Sequence, residues 1–232
     1  MSRPTVSRRV ALRRGGMLAA GLAGTLVAGC GLMDSQITTL ATTPTAPSES
    51  ARNTTTAPAA NRTLLVYFSR SGENYYYGGR RDLEVGNTEV LARMISELID
   101  ADVYQIEAAD PYPDSYDATV QRNVAEQDAD ARPVIANPID SIASYDVVLV
   151  GSPIWNVRPM IMTTFAERYD FTGKQIHPFV THAVSGLGNT QAVYTAAFLG
   201  ARIGPGLAIQ GEEVSQRRSD VEAWLARVGL TP

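Results

Sequence analysis

The sequence predicts an α/β domain, a doubly wound parallel sheet of five strands with helices on both faces. Two observations support this prediction. Uninterrupted apolar runs of strand length recur along the chain, most clearly at residues 63–68 and 147–151, and such runs are typical of strands buried on both faces of a parallel sheet. Segments with helical periodicity separate these runs, and regular alternation of this kind indicates right-handed β-α-β units.

The five strands are predicted at residues 63–68, 103–106, 147–151, 176–180 and 206–209. Helices are predicted at residues 88–99, 160–169, 190–199 and 215–228. This spacing favours the strand order 2-1-3-4-5, in which ligands bind beyond the carboxyl ends of the strands where the order reverses. We therefore expect the loops after the first, third and fourth strands to carry the function.

Residues 1–29 have the composition of a signal peptide. They contain five arginines and no acid, and then an apolar stretch over residues 17–29 that is shorter than the roughly 20 residues of a membrane span. Residues 7–13 resemble a twin-arginine export signal, and residues 26–30 resemble a bacterial lipobox in which Cys30 is acylated. The alternative is an ordinary secretory signal followed by an incidental cysteine.

Residues 30–61 are predicted to be a tether, beginning at the lipidated Cys30. This stretch is rich in Ser, Thr, Pro and Ala and lacks apolar periodicity, so it cannot bury enough surface to offset its ordering entropy. Residues 62–232 form the predicted folded domain, whose length suits a single core. We expect an exported protein held by lipid at the outer face of the bacterial cytoplasmic membrane.

Charge and composition narrow the range of functions. The net charge is −4, from 20 basic and 24 acidic residues, and removal of the five arginines before Cys30 leaves 15 against 24, or −9. An acidic domain is a poor partner for nucleic acid, because phosphate binding needs a basic face. Cys30 is the single cysteine, so no internal disulfide is expected, and with only His177 and His182 a zinc site is not expected either.

The loop after the first strand contains small residues and glycine. It runs through Ser69 and Arg70 into a tyrosine-rich insert and ends at Gly86, Asn87 and Thr88, where a helix opens. Backbone N–H groups and the helix dipole make such a position an anion site. Neither a Walker lysine nor a GxGxxG spacing is present. The alternative is that Asn87 or Thr88 only caps the helix.

Two further loops supply aromatic and glycine residues. Residues 153–156 place Trp155 after the third strand, where an indole can flank a planar ring or can simply pack. Residues 181–188 follow the fourth strand, and their glycines either permit close backbone approach to a ligand or form a flexible turn. Because all three loops are expected at one edge of the sheet, together they are stronger evidence for a ligand-binding site than any one loop is alone.

Together these segments resemble the bacterial flavodoxin-like family that binds FMN. The matching segments are residues 67–70, 86–89, 153–155, 170–174, 178–182 and 185–188, within a resemblance that covers about residues 62–230. The resemblance implies an FMN phosphate held by Ser69, Arg70, Gly86, Asn87 and Thr88. It implies an isoalloxazine ring lined by Pro153, Ile154, Trp155, Asn156, Thr181, His182, Ser185, Gly186 and Gly188.

The sequence departs from this family in three places. Asn156 stands where many relatives have a second Trp, and Ala183 and Val184 stand where they have Glu-Gly. The insert carries three tyrosines at 75–77, which either cover the flavin or form a surface cluster. His182 either contacts the flavin or makes a structural hydrogen bond.

Three functions follow from these observations. The first is electron transfer through bound FMN to an unidentified redox protein or quinone, with the cofactor supplying the chemistry. The second is an NAD(P)H-dependent oxidoreductase that reduces quinones or flavins and needs an open pocket above the FMN. The third is a tethered binding module that has lost its flavin, which the departures at Asn156, Ala183 and Val184 would explain.

Overall fold

The computed structural model of the protein describes residues 62–231. The predicted signal peptide, Cys30 and the tether lie outside these residues. The strands are β1 (Thr63–Tyr67), β2 (Gly72–Tyr76), β3 (Gly79–Leu83), β4 (Asp102–Gln105), β5 (Val147–Pro153), β6 (Gln175–His182), β7 (Arg202–Ile203) and β8 (Leu207–Gln210). The α-helices are α1 (Asn87–Ser96), α2 (Tyr116–Asp128), α3 (Ile161–Arg168), α4 (Thr190–Ala197) and α5 (Arg218–Arg227), and a 3₁₀-helix spans Gly211–Gln216. None of the helices within residues 62–231 has both the length and the apolarity to cross a bilayer.

The main sheet is parallel and runs β4-β1-β5-β6, with β7 and β8 both paired to β6 at the far edge. The predicted order 2-1-3-4-5 is therefore confirmed, with two short strands sharing the fifth position. Between the pairs Ile176–Ile203 and Phe179–Leu207, β6 advances three residues and the edge advances four. The edge thus contains one extra residue between these pairs, and in this segment a Cβ at Gly204 would lie 2.5 Å from Nδ1 of the buried His177.

The core lies in two layers, one on each face of the sheet. On β1, Leu64 and Val66 belong to the layer that α3 and α4 cover, whereas Leu65 belongs to the layer that α1 and α5 cover. Every residue of β1 is buried, because successive side chains of a strand point to opposite faces and both faces are covered. The uninterrupted apolar run seen in the sequence follows from this arrangement.

Several predicted boundaries were wrong. The helix predicted at 88–99 ends at Ser96, the helix predicted at 190–199 ends at Ala197, and the segment predicted as one helix over 215–228 begins as a 3₁₀-helix before α5. The two-stranded hairpin β2–β3, which lies in the tyrosine-rich insert, and helix α2 were not predicted at all. Helix α2 gave no helical pattern because the residues it buries, Thr119 and Asn123, are polar.

Candidate functional site

A cavity of about 250 Å³ opens at the carboxyl edge of the sheet, where the three expected loops meet. Eight of the predicted binding residues line it: Arg70, Asn87, Pro153, Ile154, Trp155, Asn156, Thr181 and His182. The remaining lining residues were not predicted as binding residues, and they are Asn74, Tyr75, Tyr116, Thr119, Val120, Asn123, Val124, Ala183, Gly211 and Glu212. Most of these belong to the hairpin, to α2 and to the start of the 3₁₀-helix.

The N-terminus of α1 forms one end of this site. The carbonyl of Gly86 accepts hydrogen bonds from the N–H groups of Glu89 (3.0 Å) and Val90 (3.2 Å), so the N–H groups of Asn87 and Thr88 precede the first intrahelical bonds and have no acceptor within the helix. These groups also lie at the positive end of the helix dipole. The arrangement favours an anion there.

The first loop supports this helix end with side chains. The Ser69 hydroxyl accepts a hydrogen bond from the N–H of Glu89 at 3.1 Å. The hydroxyls of Thr88 and Thr181 share a buried hydrogen bond of 2.7 Å, which ties α1 to β6. Ser69, Gly86 and Thr88 therefore lie beside the cavity and are not part of its lining. They hold the first loop and β6 against the start of α1.

Gly86 is the point where the two halves of the loop touch. A Cβ there would overlap the carbonyl oxygen of Arg70 and the hydroxyl of Ser69, and would lie 2.7 Å from the carbonyl carbon of Arg70. The hairpin separates these residues in the sequence, yet the backbone of residues 69–70 packs directly on Gly86. Only glycine allows this approach.

The guanidinium of Arg70 is occupied by backbone carbonyls. It donates to the carbonyls of Pro113 and Asp114, each at 2.9 Å, and to that of Glu73. Burial lowers the pKa of Arg70, and its Nε–H has no partner among the described residues. Arg70 thus anchors the hairpin to the segment before α2, and what it offers an anion is positive charge at the cavity wall.

The hairpin is held at both of its ends. At the base, a Glu73 carboxylate oxygen accepts a hydrogen bond from the N–H of Tyr116 (3.0 Å), which is the first residue of α2, so a negative charge sits at a helix N-terminus. At the tip, the N–H of Tyr77 donates to the Glu212 carboxylate at 3.0 Å. Between these contacts Tyr75 lines the cavity, whereas Tyr77 is exposed.

Trp155 packs against other aromatic rings and also lines the cavity, so the contact with a planar ring stays a prediction. Its ring lies edge-on to Phe68 (5.6 Å between centroids) and to Tyr112 (5.0 Å). Its carbonyl accepts hydrogen bonds from Asn123 (3.2 Å) and Gln127 (3.1 Å) of α2. Helix α2 therefore holds the backbone of Trp155, and Phe68 and Tyr112 pack against its ring.

The same helix also holds the next residue of this loop. Asn156 adopts a left-handed conformation with φ of 60°, and its side-chain amide donates to Gln127 Oε1 at 3.0 Å. Asparagine tolerates this conformation better than most residues other than glycine. The departure from a second Trp at this position is thus matched to a specific contact with α2.

His182 lies at the end of β6, next to Gln210 of β8. Burial lowers the pKa of His182, against a smaller opposing effect of Glu212, so the imidazole is neutral at pH 7. Its Nδ1 is buried and has no hydrogen-bond partner among residues 62–231. One of the two alternatives for this residue was a structural hydrogen bond, and the described residues supply none to Nδ1.

The loop after β6 turns away from the cavity beyond Ala183. Val184 and Ser185 are exposed, and Gly186 (φ 59°) and Gly188 (φ 52°) both have left-handed backbones. Ser185, Gly186 and Gly188 do not line the cavity. The cavity lining thus contains two of the five predicted residues of the first loop, all four of the second, and only the beginning of the third.

A family model described as flavodoxin matches residues 83–228, which is more than half of the chain. The chain belongs to the flavodoxin family. Membership in this family supports FMN as the cofactor that the sequence analysis expects. A comparison with curated proteins found no match.

Solved structures of similar proteins cover most of the chain. A protein from Bacteroides uniformis described as a flavoprotein is 27% identical, with a TM-score of 0.57 over 72% of this chain and 98% of that one. One from Bacteroides eggerthii with the same description is 25% identical, with a TM-score of 0.58 over 73% and 99%. A flavoprotein from Lactobacillus acidophilus, solved in complex with FMN, is 19% identical, with a TM-score of 0.49 over 68% and 98%.

Sequence reasoning missed the cavity wall that the hairpin and α2 build. Tyr75 belongs to an insert whose tyrosines were noted, so a sequence clue existed for it. Val120, Val124 and Glu212 gave no such clue, because they lie far from the three loops in the sequence and reach the cavity only through the fold.

Proposed function

We propose that the protein binds FMN in this cavity and works as a redox protein that carries electrons at the outer face of a bacterial membrane. One observation carries the proposal: in a member of the flavodoxin family, a helix N-terminus suited to an anion and a half-buried Trp line a single cavity. FMN has a phosphate at one end and a planar ring at the other, and the two ends of the cavity match these groups.

The phosphate end of FMN would lie at the N-terminus of α1. The N–H groups of Asn87 and Thr88 would donate to the phosphate, as in other phosphate sites built on helix N-termini. Ser69 and Gly86 keep the loop and the helix in contact. Arg70 adds positive charge at the cavity wall while its guanidinium holds the hairpin base.

The ring end would lie among Pro153, Ile154, Trp155 and His182, with Tyr75 on the hairpin side. When bound, FMN supplies reversible electron transfer, and the chain supplies position, exclusion of water and electrostatics. The neutral imidazole of His182 can donate or accept a hydrogen bond at the ring edge. The carboxylate of Glu212 in the lining disfavours added negative charge, which lowers the reduction potential.

The N-terminal sequence supports the proposed location. The lipobox ending at Cys30 would anchor the chain by lipid, and the tether to residue 61 would separate the domain from the membrane surface. The twin-arginine route exports folded proteins, so the domain can acquire FMN before export. The partner that we propose is a redox protein or a quinone at that membrane.

Visible absorbance tests the cofactor. The purified protein is measured before and after FMN is added, and the released chromophore is identified by mass. A flavin spectrum with about one FMN per chain is expected. A colourless protein that takes up no FMN, yet has the circular dichroism of an α/β fold, would overturn the proposal and favour the flavin-free binding module.

Labelling and fractionation test the location. The protein is produced in bacteria supplied with labelled fatty acid, and Cys30→Ser is compared with the unmodified chain. We expect label and membrane association in the unmodified chain and neither in the variant, because acyl chains supply the membrane affinity. Label in both proteins would refute the lipid anchor at Cys30.

A further inference from the structure

The hairpin β2–β3 has an open edge. It forms a two-stranded sheet of its own, in which β3 pairs with β2 and with no other strand of residues 62–231. The first four residues of β3 are exposed, and the strand contains neither proline nor lysine, two residues that commonly block the edges of sheets. An exposed edge of this kind can accept another strand, and a two-stranded sheet gains stability from it.

The turn of the hairpin determines the hydrogen-bonding pattern. Tyr77 and Gly78 have φ of 45° and 86°, and positive φ at both central residues is typical of a type I′ turn. The pair Tyr76–Gly79, which closes this two-residue turn, is then a hydrogen-bonded pair. Hydrogen-bonded and non-hydrogen-bonded pairs alternate along an antiparallel ladder, so the next pair along the hairpin is non-hydrogen-bonded.

Arg80 and Asp82 are therefore the residues of β3 whose backbone groups point outward. They stand opposite Tyr75 and Glu73 of β2 in non-hydrogen-bonded pairs, so their N–H and C=O groups point away from β2. Arg81 lies between them, and its N–H and C=O groups point toward β2. The free edge thus presents the backbone donors and acceptors of Arg80 and Asp82.

The side chains of these two residues share one face of the hairpin and differ in charge. The guanidinium of Arg80 lies 3.7 Å from the centre of the Tyr116 ring, against α2, and Asp82, two residues further on, shares that face. Arg81 is on the opposite face, 4.9 Å from the centre of the Tyr76 ring. Charges on an edge strand commonly deter a neighbour, but opposite signs at Arg80 and Asp82 make this edge complementary to itself.

We propose that β3 pairs in an antiparallel ladder with β3 of a second copy of the chain, about a twofold axis at Arg81. In this register Arg80 of each copy stands opposite Asp82 of the other, so their free backbone groups bond to each other. Two cross-strand pairs of opposite charge form in the same step, and such pairs stabilise a sheet. The two copies of Arg81 form the single unfavourable pair.

The alternative registers with twofold symmetry are less favourable. A shift toward the turn places Arg80 opposite itself, and like charges that are directly opposite destabilise a sheet. A shift the other way places Asp82 opposite itself and needs Glu84 as the partner of Arg80, but Glu84 lies beyond the end of β3. The register centred on Arg81 uses only residues that already belong to the strand.

Pairing would make one four-stranded sheet from two hairpins. The inner strand β2 carries Tyr75, which lines the cavity, so the joined sheet would hold one wall of the cavity in each copy. The twofold axis makes the interface self-complementary and closed, which favours a dimer over an open chain of copies. The interface needs neither FMN nor a redox partner.

Disulfide trapping tests the register. Arg81→Cys is made in a full-length chain that carries Cys30→Ser, which leaves one thiol. Opposed residues of a non-hydrogen-bonded pair have Cα atoms about 4.5 Å apart, which suits a disulfide. In oxidised glutathione we expect a linked dimer on a non-reducing gel, formed about tenfold faster than with Val103→Cys. Val103 is the matched control, because it is 52% exposed on the edge strand β4.

Charge reversal tests the pairing. In the Arg81→Cys chain, either Asp82→Arg or Arg80→Asp places like charges opposite each other at two positions, so cross-linking should slow roughly tenfold. An equimolar mixture of the two reversed chains restores opposite charges at both positions. It should cross-link as a heterodimer within about threefold of the unreversed rate, and this recovery requires that both variants are folded. Asp100→Arg, at an exposed loop position, is the control for net charge and should leave the rate unchanged.

Hydrogen exchange tests the unmodified chain. Amide hydrogens of the peptide that contains β3 should exchange more slowly as the protein concentration rises, because pairing covers the N–H groups of Arg80 and Asp82. Exchange in α5 should not depend on concentration. Exchange at β3 that is equally independent of concentration would contradict the dimer.

The cross-linking experiments have outcomes that would overturn the inference. If Arg81→Cys cross-links no faster than Val103→Cys, the strands do not pair, and the charges of β3 keep the edge free. Fast cross-linking that charge reversal leaves unchanged, or reversed chains that do not recover when mixed, would refute this register. A chain that takes up no FMN and still cross-links as expected would refute the proposed function alone and support this inference.

Discussion

Replacement of Gly86 by alanine tests whether the contact between loop and helix shapes the anion end of the cavity. Gly86 has φ of −68° and ψ of 147°, which any residue can adopt, so the substitution introduces no backbone strain of its own. The destabilisation would come from steric overlap alone, because the added Cβ would overlap the Arg70 carbonyl oxygen and lie 2.7 Å from its carbonyl carbon.

The size of the effect follows from these distances. Carbon atoms in ordinary contact lie about 3.5–4.0 Å apart, so the backbone at Arg70 must retreat by about 1 Å. Overpacking of this kind costs roughly 1–3 kcal/mol, and each kcal/mol lowers the melting temperature of a domain of this size by about 2–4 °C. A shift of about 1 Å at the start of α1 would also break hydrogen bonds from its N–H groups to the charged FMN phosphate. Each such bond contributes roughly 1.5–3 kcal/mol. FMN affinity should therefore fall about tenfold to a hundredfold.

Titration with FMN, followed by the quenching of flavin fluorescence, measures this affinity, and thermal unfolding measures the stability. Gly79→Ala is the matched control, because the nearest atom to its added Cβ is the Tyr76 carbonyl oxygen at 3.5 Å, on the exposed hairpin. A Gly86→Ala protein that binds FMN as tightly as the control and melts at the same temperature would refute the steric reasoning.

Three further predictions concern contacts within the folded domain. Glu212→Ala removes the acceptor for the Tyr77 N–H, so the hairpin tip should exchange its amide hydrogens roughly tenfold faster by mass spectrometry; unchanged protection would contradict this contact. Thr88→Val leaves the buried Thr181 hydroxyl without its partner and should lower the free energy of unfolding in urea by about 1–3 kcal/mol. Changing both threonines to valine should cost less than the sum of the two single changes, and strict additivity would argue against the bond. Burial lowers the pKa of His177, so the unfolded chain binds a proton below about pH 6.5 that the folded chain does not. Stability should therefore fall as the pH drops from about 7.5 to about 5, and less so in His177→Gln; equal pH dependence of the two proteins would contradict the assignment.

Two of these predictions have matched controls. Glu213→Ala removes the neighbouring carboxylate, which pairs with Arg217 instead of the hairpin, so hairpin exchange should not change. Thr195→Val removes an exposed hydroxyl that bonds within α4 to the carbonyl of Gln191, and its cost should be within about 0.5 kcal/mol.

The central strands and their order could be predicted from the amino-acid sequence without any tertiary information. Strands buried on both faces are apolar at nearly every position. The sequences of β1 and most of β5 have this composition, so both strands can be recognised without the rest of the chain. The carboxyl ends of parallel strands meet at one edge, so the residues that follow β1, β5 and β6 could be placed near each other from the order alone. Asn87, Trp155 and His182 were found by that reasoning.

The wall opposite those loops depends on contacts that form only in the folded chain. Helix α2 gave no apolar pattern in the sequence because the residues that it buries, Thr119 and Asn123, are polar and donate to the carbonyls of Pro113 and Trp155. The partner of Asn123 lies 32 residues away, and no local pattern indicates so distant a contact. The role of the Arg70 side chain was likewise set by carbonyls some 40 residues further along. Periodicity records which residues are apolar, whereas these positions depend on which polar groups find each other once the sheet has formed.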